Sequence, residues 1–177
     1  MGTPKTIESF KDAMYDWSGL IIRDYILENY NPKSTKILDV GAGWGKYAYL
    51  LHDYVMDACE IWDKYIEEEN LENIYRHVYN VDICDMAISK GVYDVIIFGD
   101  VLEHIETSEA QQLIKRLSSR VKDIVVAVPF LYKQGEVEGN PYEEHKQPDL
   151  TPTLMAERYP QLKQLEVSRE KGIYVKR

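Results

Sequence analysis

Carboxylates, glycines and imidazoles fall in this chain at spacings that chemistry can use. Asp39 is followed by Gly41, Ala42, Gly43 and Gly45 in the run Leu38-Asp-Val-Gly-Ala-Gly-Trp-Gly45. Glycines at alternate positions let a backbone approach a ligand closely and adopt positive φ angles. Between an apolar run and a helical one, such a loop is the usual cradle for the polar end of a ligand. Asp39 just before it suits a cationic amino group better than a pyrophosphate. Glu60 follows at about 20 residues from the loop, where an acid bonds ribose hydroxyls in folds of this kind. Asp82 and Ile83 end a further apolar run.

A second group lies downstream. Asp100, Glu103 and His104 are spaced i, i+3, i+4, which on a helix puts them on one face. Such a set can bind a divalent metal. The expected arrangement is one without metal, in which Asp100 caps the helix, Glu103 faces solvent and His104 is bonded within the cleft wall. His104 and His145 are the candidate bases, because an imidazole titrates near neutral pH. His52 and His77 are read as structural.

The elements that must position these residues are legible as changes of period. A first helix carries Ile7, Phe10, Met14, Trp17 and Ile21 on one face and stops near Pro32. Trp17 is expected in the core. Residues 36–40, 55–60, 74–81, 93–98 and 124–128 are apolar runs of strand length. Helical patterns separate them at 46–54, 64–70, 84–90 and 102–118. Strands buried on both faces and alternating with helices imply a parallel sheet covered on each side. After Pro129 the rhythm breaks: 133–150 reads as a loop, and Thr151 and Pro152 suit a helix start. Residues 162–168 and 172–176 read as an antiparallel pair across a tight turn.

Composition narrows the partners. The 177 residues fit one domain with a sizeable core. Thirty acidic residues against 21 basic ones give a net charge of -9, the wrong sign for a protein whose affinity comes from DNA phosphates. No apolar run approaches the ~18 residues of a membrane span. Cys59 and Cys84 show no metal-binding spacing and read as buried thiols of a reducing cytosol. The chain is therefore expected to be a single cytoplasmic domain over 1–177, with residues 1–31 as a helical lid and 129–160 as a substrate-side loop and helix.

The glycine run resembles the first motif of class I S-adenosylmethionine-dependent methyltransferases. The resemblance implies that the loop wraps the methionine end of the cofactor, with Asp39 near its amino group. Glu60-Ile-Trp-Asp-Lys-Tyr-Ile66 is similar to the family's segment that places Glu60 on the ribose and Ile61 on the adenine. Asn80-Val-Asp-Ile83 resembles the segment that brings Asp82 and Ile83 to the adenine. Asp94-Val-Ile-Ile-Phe-Gly-Asp-Val-Leu-Glu-His-Ile105 is similar to the ubiquinone and menaquinone biosynthesis branch, and implies that Asp100 and Val101 border the cofactor. Some relatives, among them small-RNA 2′-O-methyltransferases, use a comparable acid-x-x-Glu-His set with a later histidine, a place His145 would take. The fold implied is α/β and Rossmann-like, a seven-stranded mostly parallel sheet with helices on both faces and an antiparallel last strand. The activity implied is methyl transfer to an acceptor, expected to be a small molecule. Two alternatives stay open: an NAD(P)-dependent oxidoreductase using the register Gly43–Ala48, and a catalytically silent partner subunit of the same fold.

Overall fold

The structure is a computed structural model that describes residues 16–177. Its helices are α1 (Trp17–Asn29), α2 (Lys46–Leu50), α3 (Asp63–Glu68), α4 (Thr107–Ser118) and α5 (Pro152–Arg158). Its strands are β1 (Lys36–Val40), β2 (Val55–Glu60), β3 (Val78–Asn80), β4 (Val95–Gly99), β5 (Asp123–Pro129), β6 (Lys163–Val167) and β7 (Lys171–Lys176). They form one seven-stranded sheet in the order β3-β2-β1-β4-β5-β7-β6. The first five strands pair in parallel, and β7 runs antiparallel to both β5 and β6. The expected architecture is the observed one.

The apolar runs are continuous because both faces are covered. Along β4, Ile96 and Phe98 pack into the core beneath Ala110, Leu113, Ile114 and Leu117 of α4. Val95 and Ile97 point the other way, into a second core closed by Ile22, Tyr25 and Ile26 of α1. The register pairs Val40 with Cys59 on one side and Phe98 on the other. That alignment brings the carboxyl ends of β1, β2 and β4 to one edge, where open α/β sheets bind ligands.

Several expectations need correction. Ile7, Phe10 and Met14 lie outside the described residues. Trp17 is not in the core: it is 39% exposed, and α1 buries Ser18, Gly19, Ile22, Tyr25 and Ile26 instead. The helix expected over 102–118 is broken. Leu102–His104 is a single 3-10 turn, Ile105 is extended, and α4 starts after Glu106. The cause is competition for carbonyls. The Gln147 side-chain amide donates to the oxygens of Leu102 and Ile105, and the amides of Lys146 and Gln147 donate to that of Glu103. Asp100, at φ +61, caps no helix.

Residues 84–90 form no helix either, since Arg116 takes the carbonyls of Ile83, Cys84 and Met86, and Arg120 takes that of Ile88. The strand expected over 74–81 shrinks to Val78–Asn80, and the helix over 46–54 to Lys46–Leu50. By contrast, α5 starts as read, with the Leu154 amide donating to Thr151 Oγ1 at 3.1 Å. Cys59 and Cys84 are free thiols, buried and half-buried. No helix among the described residues is long and apolar enough to cross a membrane.

Candidate active site

The glycine loop leaves β1 with Gly41 at φ +64. A side chain there would be strained, and its Cβ would stand 2.5 Å from Val101 Cγ2. Gly43 donates its N–H to Glu60 Oε2 at 2.9 Å, and the Trp62 amide donates to Glu60 Oε1 at 2.9 Å. The acid at the end of β2 therefore fixes both the loop and the start of α3. Each of its oxygens keeps lone-pair capacity for a further donor.

These ends enclose a cavity of about 270 Å³, lined by Gly41, Gly43, Glu60, Ile61, Asp82 and Ile83. Asp100, Val101 and His104 close its far side. Of the residues read from the sequence, Asp39, Ala42 and Gly45 lie behind this lining. Ala42 is buried in the core with α2, and Gly45 packs near Leu71 and Ile74.

Asp39 is 1% exposed; its Oδ2 accepts from the Tyr75 hydroxyl at 2.5 Å and its Oδ1 has no partner among the described residues. Burial pushes its carboxyl up to about 7, although the Tyr75 hydrogen bond and Lys46 pull the other way. Sequence reasoning missed Tyr65, Asn140, Pro141 and Tyr142 in this wall. The Tyr65 hydroxyl donates to Glu143 Oε1 at 3.0 Å. No local signal joins those two residues, since a tyrosine after β2 meets a loop far along the chain.

A second cavity, of about 890 Å³, lies beside the first and includes Asp16, Trp17, Phe130, Tyr132, His145 and Lys171 in its wall. Asp100, His104 and Glu143 belong to both cavities. Lys171 Nζ stands 2.8 Å from Asp100 Oδ1 and 2.9 Å from Oδ2. Lys46 lies 3.3 Å from Asp16 and 3.7 Å from Asp100, so the ion network ties the start of α1 to the end of β4.

Glu103 also borders the second cavity, and it does not face solvent as expected. It is 1% exposed, and neither carboxylate oxygen has a hydrogen-bond partner among the described residues. Burial, reinforced by the charge of Asp100, holds its proton affinity well above the usual carboxylate range. The rings of His104 and His145 meet edge to face at 4.7 Å between centroids. Burial and the neighbouring His145 lower the pKa of His104, so its imidazole is neutral at physiological pH. The structure thus brings His104 and His145 together, across the 41 positions that separate them.

Comparison with known proteins gives the family and related folds. Residues 14–146 match the family model described as a methyltransferase domain. The chain belongs to that family. No curated protein matches it. The methyltransferase is similar in fold to magnesium protoporphyrin IX methyltransferase of Synechocystis PCC 6803 with bound S-adenosylmethionine, at 15% identity and a TM-score of 0.66, covering 98% of this chain and 85% of that one. It is also similar to an S-adenosylmethionine-dependent methyltransferase of Clostridium acetobutylicum ATCC 824, at 16% identity and a TM-score of 0.69, covering 96% and 98%. A methyltransferase of Aquifex aeolicus matches at 14% identity and a TM-score of 0.62, covering 97% and 98%.

The Synechocystis enzyme was crystallised with S-adenosylmethionine and with S-adenosylhomocysteine bound, and the residues present here fit such a cofactor. Among the described residues nothing but the Gly41 carbonyl lies within 4 Å of where a Cβ on Gly43 would stand, which leaves room for a ligand. The orphaned Asp39 Oδ1 is a buried acceptor behind that loop. The dinucleotide register through Gly43 and Ala48 gains no support from the family match.

Proposed function

We propose that this methyltransferase passes the cofactor's methyl group to a small-molecule acceptor held in the larger cavity. The observation that carries the reading is the shared wall: Asp100, His104 and Glu143 line both spaces, so donor and acceptor would meet there. The methyl of a sulfonium is already activated, and the protein's main task is to align the two partners and exclude water. In the step itself an acceptor lone pair attacks the methyl carbon. The carbon–sulfur bond breaks, its electron pair returns to sulfur, and the acceptor's proton is released. Glu103, His104 and His145 form the polar set at which an acceptor O–H or N–H would be polarised.

Glu60 and Asp82 would hold the ribose and adenine, Ile61 and Ile83 would pack on the adenine, and Asp39 would serve the amino group behind the loop. The net charge of -9 and the carboxylates Asp16, Asp100 and Glu143 around the cavity weigh against a nucleic-acid acceptor.

A thermal-shift series tests the reading. Near 100 times its dissociation constant, S-adenosylhomocysteine should stabilise the fold by about 2.7 kcal/mol. NAD and NADP should give no shift. Turnover is then sought with small hydroxyl, amine and carbon acceptors. A shift with a dinucleotide alone would overturn the reading, and cofactor binding without turnover on any acceptor would favour the silent partner subunit.

A further inference from the structure

Residues 134–145 form a loop between β5 and α5 that is closed at its neck. The His145 amide donates to the Gln134 carbonyl at 3.0 Å, and Val137 and Asn140 bridge to each other within it. A loop whose ends are held together and which is packed by its own residues behaves as one unit. Its tip reaches the cofactor side, where Asn140, Pro141, Tyr142 and Glu143 face the space bordered by Glu60 and Ile61. There it meets Tyr65 of α3. The Tyr65 hydroxyl donates to Glu143 Oε1 at 3.0 Å and is bonded in turn by the Asn140 side-chain amide. We infer that Tyr65 and Glu143 form a clasp that seats this loop over the bound cofactor, which makes Tyr65 a positioning residue for the methyl donor.

Three observations argue for the clasp. First, Tyr65 is fixed from behind by the residue that borders the cofactor. Glu60 accepts from the Trp62 amide at 2.9 Å, and the Trp62 ring meets that of Tyr65 edge to face at 4.6 Å between centroids. Burial, reinforced by the Glu143 carboxylate, raises the proton affinity of Tyr65, so its hydroxyl stays a donor.

Second, Glu143 is engaged on both oxygens. Its Oε2 accepts from Gln134 Nε2 at 3.2 Å, and the same nitrogen donates to the Glu143 carbonyl at 2.9 Å. Gln134 lines the larger cavity, so one carboxylate joins a wall of each space to the other.

Third, the seated loop leaves little room. The cavity beneath its tip is about 270 Å³, below the ~300 Å³ at the small end of ligand pockets. Passage of a cofactor therefore requires the tip to lift, and the bonds to the Tyr65 hydroxyl must break for that. A hydrogen bond to an ionised acceptor contributes more than a neutral one. The inference rests on the cofactor half of the proposed function and not on the identity of the acceptor.

The test uses the full chain loaded with radiolabelled S-adenosylhomocysteine and chased with unlabelled ligand. Tyr65→Phe removes one oxygen and keeps the ring against Trp62, and it should release the label about tenfold faster. Glu143→Ala should do at least as much, and the double variant should release no faster than Glu143→Ala alone. In the parent chain, hydrogen exchange of the amides of 137–144 should slow when S-adenosylhomocysteine binds, and Tyr65→Phe should abolish that slowing. Release unchanged by Tyr65→Phe, or single effects that multiply in the double variant, would overturn the clasp and leave cofactor binding in place. So would loop amides of the parent chain that exchange alike with and without ligand, a result that depends on no variant folding. A parent chain that binds no S-adenosylhomocysteine would overturn the proposed function together with the clasp.

Discussion

The two cavities are built from different kinds of structure. The cofactor side is assembled from strand ends: Gly41 after β1, Glu60 at the end of β2, Asp82 just past β3 and Asp100 just past β4. Each residue there is held by the ladder beneath it. The acceptor side is assembled from connections: the start of α1, the long segment between β5 and α5, and the turn before β7. That segment exposes Leu131 and Tyr132 at 73% and 53%, and holds Leu131 and Glu138 at positive φ. The donor site is thus inseparable from the sheet. The acceptor site can change without disturbing it.

Substitutions and pH should divide along the same line. The largest effect is expected from Asp39, whose buried carboxyl titrates near 7 against an ordinary value of about 3.9. An acid whose folded pKa is raised favours the fold below its unfolded pKa, and that contribution is lost as pH rises to the folded value. For Asp39 the loss between about pH 4 and pH 7 is on the order of 4 kcal/mol. Urea melts across that window should show the decline, and Asp39→Asn should flatten it. Because a cofactor ammonium favours the ionised form, S-adenosylhomocysteine should also bind more tightly as pH rises through about 7.

Next comes Gly41→Ala, which combines a left-handed φ with overlap on Val101. It should cost about 3 kcal/mol in a thermal melt. Gly135→Ala, in the acceptor loop with nothing within 4 Å, should stay within about 0.5 kcal/mol. Equal costs would break the comparison. Glu60→Ala leaves the amides of Gly43 and Trp62 without their acceptor and should cost about 2 kcal/mol. Calorimetry should show cofactor affinity falling with it, whereas Tyr132→Ala should leave that affinity unchanged and raise the acceptor's KM.

The same division explains what could be read from the sequence. Strand ends are marked locally, by glycines and by acids that follow apolar runs. Gly41, Gly43, Glu60, Asp82 and Asp100 therefore fall where spacing puts them. Glu103 was misplaced because a helical period runs unbroken through 102–118, while the contacts that break it come from Gln147, more than 40 positions away. The burial of Glu103 follows from that distant loop and has no local signature. Trp17 fits an apolar stripe, yet the face that packs is set by β7 and α2, which the helix's own sequence does not contain.

The position of β7 has a consequence for the birth of the molecule. Of the seven described strands it is the last in chain order, yet it lies inside the sheet, between β5 and β6. Until residues 171–176 emerge, β5, the most apolar strand, presents an unpaired edge over Ile124–Pro129. Such an edge is a template for pairing with another chain. Nascent chains stalled before Lys171 are the form of this protein most in need of a chaperone.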